Sequence, residues 1–182
     1  MANRLLLTAL LAGTFFNSGA QAAPPADCES CFRELYKELV ETNTTLSAGE
    51  CTLASERMAT RLRDAGYTAE QVRVVVPDKF PKQGNLVASL PGTDKSLPAV
   101  LLLAHIDTVE AKRSDWARDP FTLIEENGYF YARGAIDDKA MAASFVDALI
   151  RYRKEGFRPK RTIKLALTCG EGKDSVLNGG KY

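Results

Sequence analysis

The segment AVLLLAHI, residues 99–106, constrains the fold more than any other. It is a continuous apolar run of strand length. Such a run predicts a β-strand covered on both faces, as in the interior of a partly parallel sheet. TIKLALTC (162–169) predicts a second buried strand. VRVVV (72–76) is β-branched and stops at Pro77, and NLVASL (85–90) alternates and stops at Pro91-Gly92. FTLIEENGYFYARG has the form of a hairpin turning at Asn127-Gly128, with an aromatic second strand.

Helical patterns lie between these strands. Phe32, Leu35, Tyr36, Leu39 and Val40 recur at helical spacing, and ETNTTLSAGE ends that helix. A second helix is expected from about Glu50 to Ala65, with Leu53, Met58 and Leu62 among its apolar positions and Gly66 as its stop. KAMAASFVDALIRYRKEG predicts the clearest helix. Its Ala142, Phe145, Val146, Leu149 and Ile150 fall on one side, and Gly156 ends it. Helices alternating with apolar strands predict an α/β fold: a three-layer sandwich around a mixed, mostly parallel sheet. The length of 182 residues fits about one domain.

The N-terminus has a separate logic. MANRLLLTALLAGTFFNSGAQA joins a basic Arg4, an apolar core from Leu5 to Phe16, and a small-residue end, Ala20-Gln21-Ala22. This is the pattern of a secretory signal peptide, with cleavage expected after Ala22. Residues 23–30 are then a linker and 31–182 the folded part. Export implies a secreted or periplasmic chain and an oxidising compartment. A disulfide is expected between Cys51 and either Cys28 or Cys31, while CESC lacks the preceding strand of a redox motif. The near balance of 24 basic and 23 acidic residues argues against a nucleic-acid partner. After cleavage of the signal no segment calls for a membrane.

The chemistry concentrates in three places. His105, the single histidine, closes one apolar strand, and Asp107 follows two residues later. ARGAIDDKA sets Asp137 and Asp138 at the start of the long helix, and CGEGK sets Glu171 just past the other apolar strand. Ligands of open α/β sheets gather outside the carboxyl ends of strands, where each of these residues falls. Imidazole and carboxylate are ordinary zinc ligands. Asp107 can fix the imidazole tautomer, and Glu171 can act as a general base. Each piece also has a plainer reading: a structural His–Asp pair, a solvated helix start, a surface carboxylate. No glycine-rich nucleotide motif and no G-x-S-x-G is present.

From LLLAHIDTVEA through DPFTLIEENGYFYARGAIDDKAMAA to LALTCGEGKD, the chain resembles the co-catalytic zinc exopeptidases and amidohydrolases. That family includes aminoacylase, carnosinase-type dipeptidases, glutamate carboxypeptidase and succinyl-diaminopimelate desuccinylase. The resemblance covers roughly residues 30–182. It implies that His105 is a terminal zinc ligand and that Asp137 bridges two zinc ions. It further implies that Asp107 is the catalytic partner of His105, that Glu171 is the general base, and that the Asp137–Asp138 peptide is cis.

One position departs from the family pattern. Gly172 stands where the family has a second glutamate ligand, and the family's lid domain, further acidic ligand and final histidine have no counterpart. The expectation is therefore a truncated N-terminal part of a catalytic domain, with at most a partial zinc site. The function implied is zinc-dependent hydrolysis of amide bonds in small peptides or N-acyl amino acids. The alternative is a non-catalytic, exported remnant of such an enzyme.

Overall fold

The computed structural model describes residues 28–171 and 177–181. The expected signal peptide and Gly172 lie outside the described residues. Helix α1 (Glu29–Glu41) and helix α2 (Cys51–Asp64) come first. Strands β1 (Val72–Val75), β2 (Asn85–Leu90) and β3 (Val100–His105) follow. The hairpin β4 (Ile124–Glu126) and β5 (Tyr129–Tyr131), helix α3 (Ala140–Lys154) and strand β6 (Ile163–Thr168) complete the order. Helix α1 starts inside the expected linker, because Cys28 caps it by accepting from the Cys31 N–H.

The sheet is mixed, as the sequence predicts, but among the described residues it is not mostly parallel, since two of its three pairings are antiparallel. Its order is β1-β2-β6-β3, with β1/β2 and β2/β6 antiparallel and β3/β6 parallel. Strand periodicity then sorts the side chains between its faces. Val72, Leu86, Ala88, Leu165, Leu167 and Ala104 point to one face and are buried on the side where α2 and α3 pack, with α1 set against those two helices. The inward stripe of α2 is Ala54, Met58, Ala59 and Leu62, each 0% exposed. Leu53 falls off that stripe and is exposed, contrary to expectation, because five residues separate it from Met58.

The second face differs from what the β3 run predicts. Leu101 and Leu103 are 58% and 50% exposed. Among the described residues the helices form one layer, so the β3 run is covered on one side only, and it lies at the sheet edge. The hairpin matches its sequence: Asn127 and Gly128 both take positive φ, the combination a two-residue turn needs.

Both cysteine pairs are closed, and the expected partner of Cys51 is corrected. Cys28 bonds Cys31, and Cys51 bonds Cys169, 118 residues away. Cys51 is buried in the first turn of α2, where it meets Cys169 just past the end of β6. The long crosslink fixes the strand end from which Glu171 departs. Asn85, 5% exposed, accepts from the Cys169 N–H at 2.9 Å, and the Gly179 N–H donates to the Cys169 carbonyl at 2.8 Å.

Candidate functional site at the carboxyl ends of the parallel strands

The register of β3 and β6 pairs His105 with Thr168. Both strands therefore end at one rim, and the residues leaving them share an open cleft of about 650 Å³. His105, Asp107, Asp137 and Glu171 all line it. Four residues dispersed in sequence are thus gathered by one parallel pairing and the turn into α3.

Three of them meet directly. His105 Nε2 lies 3.1 Å from Asp137 Oδ1. Its Nδ1 lies 3.1 Å from the Asp107 carbonyl oxygen and 3.6 Å from the Asp107 carboxylate. The orienting hydrogen bond therefore goes to the Asp107 backbone, with the carboxylate just beyond. The Asp107 carboxylate raises the imidazole pKa to about 9; burial opposes the rise and Asp137 adds to it. At neutral pH the ring is a cation donating on both sides. The proton occupies the kind of place that a metal ion would contest. Glu171 makes no hydrogen bond or ion pair with the other three among the described residues.

The turn into α3 is tightly shaped. Gly134 has φ +75°, and a Cβ there would come within 2.3 Å of the Thr108 methyl, so the chain admits only glycine. The Asp137–Asp138 peptide is cis. Asp138 turns back and accepts from the His105 backbone N–H at 3.3 Å. That contact ties the strand bearing the histidine to the loop bearing its carboxylate partner.

Sequence reasoning passed over the residues that hold this geometry. Lys139 is 1% exposed, and its ammonium donates to the carbonyls of Thr42 (2.7 Å) and Val40 (3.4 Å). Helix α1 has no basic residue in its last turn. Lys139 supplies the missing cation to its carbonyl end from a distant part of the chain. Burial lowers its pKa to about 7, and Asp107 partly offsets this. Tyr36 donates to the Ala135 carbonyl at 2.8 Å, so α1 grips the same turn twice.

The helix-ending segment ETNTT has a matching role. Thr44 donates to the Ile106 carbonyl at 2.6 Å, the Thr108 N–H returns to Thr44, and Thr45 bridges Thr108. Ser47 donates its N–H and its hydroxyl to the Glu110 carboxylate, each at 2.8 Å. The cue in the sequence was the density of hydroxyl side chains, which suit local backbone capping.

His105 and Asp137 can both donate to a zinc ion. A catalytic zinc takes three protein ligands and an open position. Among the described residues no cluster of three His, Cys, Asp or Glu side chains is arranged to hold a metal. The described donor set is incomplete by that measure.

Comparison with known proteins extends this picture. Residues 101–182 match the group described as peptidase family M20/M25/M40. Mouse (Mus musculus) aminoacylase-1 is 35% identical over 61% of this chain and 26% of its own length. The mouse N-fatty-acyl-amino acid synthase/hydrolase PM20D1 is 30% identical over 91% of this chain and 33% of its own. The chain thus spans about a quarter to a third of the length of these relatives. Human carnosine dipeptidase 1 superposes with a TM-score of 0.64 at 24% identity, covering 81% of this chain and 34% of that one. An M20 metallo-carboxypeptidase of Sulfolobus solfataricus gives 0.63 at 20% identity, covering 77% and 31%. These two structures share the fold.

Proposed function

Because the chain belongs to peptidase family M20/M25/M40, we propose that the protein carrying it hydrolyses amide bonds in small peptides or N-acyl amino acids with the help of zinc. One observation carries the reading: an imidazole held between the Asp107 backbone carbonyl and the Asp137 carboxylate at a strand rim, with the Asp107 carboxylate just beyond and Glu171 in the same cleft. Two of the named relatives, an aminoacylase and a fatty-acyl-amino acid hydrolase, suggest the substrate class.

His105 and Asp137 would hold the metal, which when bound polarises a carbonyl and acidifies water. The donor set found here is short of a full site, so no step is drawn through the metal. The chain's own residues have separate tasks. Asp107 fixes the ring of His105. Asp138 and Lys139 fix the loop that carries Asp137. Glu171 faces the cleft as a carboxylate placed to take a proton from an attacking water and pass it to the departing amine.

Residues 1–22 are proposed to export the chain, and the two disulfides support an oxidising destination. Zinc uptake measured on the purified chain, together with chelator-sensitive release of amino acid from N-acetyl amino acids, tests the proposal. Glu171→Gln is expected to retain zinc and lose hydrolysis. A chain that neither takes up zinc nor hydrolyses these substrates overturns it.

The two-donor site favours one second reading, a non-catalytic domain of the same lineage. Position 172, a glycine, is where the two readings part. If Gly172→Glu confers zinc binding that the parent lacks, the second reading holds for this chain.

A further inference from the structure

The two disulfides occupy opposite settings. Cys51–Cys169 spans 118 residues, and its cysteines are 1% and 4% exposed. A thiol in solution cannot reach those sulfurs without opening the core. Cys28–Cys31 spans three residues, and both of its cysteines are exposed. A bridge within one helical turn closes a short loop and constrains little of the unfolded chain. Helix α1 is anchored elsewhere. Leu35, Tyr36, Leu39 and Val40 form its buried stripe, Tyr36 donates to the Ala135 carbonyl, and Lys139 holds its carbonyl end. The fold therefore does not depend on this pair being closed.

The surroundings of the pair suit exchange chemistry instead. Cys28 is the N-cap of α1, and its sulfur accepts from the Cys31 N–H at 3.3 Å. The Ser30 hydroxyl lies 3.6 Å from the same sulfur. A bridged sulfur has no hydrogen to give, so the hydroxyl is the donor. Two donors and the positive end of a 13-residue helix thus converge on Cys28. They favour a thiolate there once the bridge opens, and a stabilised thiolate is a good leaving group. The adjacent acid, Glu29, is paired with Arg33, which also holds Glu125, so its charge is offset. Thiol–disulfide exchange needs access and a good leaving sulfur. It does not need the strand that the sequence reading sought before CESC.

We propose that Cys28–Cys31 is a thiol–disulfide exchange site for a dithiol, while Cys51–Cys169 is the structural bridge. The inference is independent of the hydrolytic reading, since neither Cys28 nor Cys31 lines the cleft. In the first step a thiolate of the dithiol bonds to Cys31 Sγ. The Cys28–Cys31 bond breaks, and its electron pair leaves on Cys28 Sγ. In the second step the other thiolate of the dithiol bonds to the sulfur held on Cys31. The mixed disulfide breaks, and its electron pair leaves on Cys31 Sγ. The dithiol is oxidised by two electrons to a disulfide, Cys28 and Cys31 are reduced, and the two protons of the dithiol pass to their thiols.

The test starts from the purified chain with both bridges closed. It is equilibrated in buffers of fixed ratio of dithiothreitol to its oxidised form, quenched, alkylated and read by peptide mass spectrometry. Cys28 and Cys31 are expected to take the label at a ratio on the order of a hundredfold lower than Cys51 and Cys169. The melting temperature should change little while only the first pair is open. Opening of both pairs at one ratio, or of Cys51–Cys169 first, overturns the proposal. So does a collapse of the melting temperature when only Cys28–Cys31 is open.

Two further measurements bear on the leaving sulfur and on the partner. In Cys31→Ser the Cys28 thiol is expected to titrate below the ordinary cysteine value of about 8.5, read from its alkylation rate against pH. A value at or above the ordinary one overturns the role given to Cys28. With glutathione at the same thiol concentration, the released Cys28 thiolate is expected to reclose the bridge and leave no adduct. A stable glutathione adduct on the parent chain overturns the choice of a dithiol.

Discussion

The two faces of the four-stranded sheet are built from the same strands and serve different ends. The covered face buries Leu86, Leu165 and Leu167 completely on the side where α2 and α3 pack. The other face leaves Leu101 and Leu103 half exposed, and His105 stands in line with them at the end of the strand. Stability is concentrated where packing is complete. Chemistry sits at the rim of the less covered face, where a side chain can meet both water and a partner. Between them lies the turn 134–139, whose Lys139 points into the interior while Asp137 remains 85% exposed.

Leu167→Ala is the strongest challenge to this division. Deleting a fully buried leucine is expected to cost about 2–5 kcal/mol, read as a lower urea midpoint. A loss comparable to that of an exposed leucine would mean the helical layer does not seal this face.

Lys139→Met comes next. It removes the donors to the Val40 and Thr42 carbonyls inside the protein, at an expected cost of about 1–3 kcal/mol. Because the same lysine positions the loop of Asp137, the spectrum of His105 in nuclear magnetic resonance should change with it. An unchanged midpoint would show that water replaces the ammonium freely.

The pH dependence of the metal-free chain sharpens the contrast between rim and interior. The folded pKa of His105 is raised, from 6.5 to about 9. The stabilisation from its partners is complete below about pH 6.5 and is lost as pH rises through 9. Lys139 has the opposite sign. Its folded pKa is lowered from 10.5 to about 7, so the unfolded chain binds the extra proton between those values and stability rises with pH. The two slopes oppose each other between about pH 7 and 9. Removing one should expose the other: stability climbs with pH in His105→Gln and falls in Lys139→Met. Melting temperatures at pH 7, 8 and 9 in chelator test this, and equal slopes in the two variants would refute the pairing.

The smallest effect is expected at Leu103→Ser on the less covered face. With half of that side chain exposed, the change should stay within about 0.5 kcal/mol. A cost of several kcal/mol would mean that this face is covered in solution.

Much of the fold was legible in the residues because it is written in local periodicity. The hairpin turn at Asn127-Gly128, the stripe of α3 and the ends of β2 each follow from a repeat or a breaker a few residues long. Where the reading went astray, the missing information was long-range. The apolar β3 run looks alike whether one face is covered or two, since hydrophobicity records what a strand tolerates and not what lies over it. The partner of Cys51 depended on which chain end the first turn of α2 approaches, and spacing does not carry that.

The site divides in the same way. His105, Asp107, Asp137 and Glu171 could be named from their chemistry and from their places at the ends of strands. By themselves those residues determined which groups were available: one imidazole, carboxylates at two further rims, and no glycine-rich phosphate cradle. Only the tertiary structure decided that the imidazole is clasped between Asp107 and Asp137 and that Lys139 points inward to the end of α1. The physical reason is range. Backbone preference and amphipathic period act over a turn or two of chain, whereas a hydrogen bond or an ion pair depends on distances set by packing segments that the sequence keeps far apart.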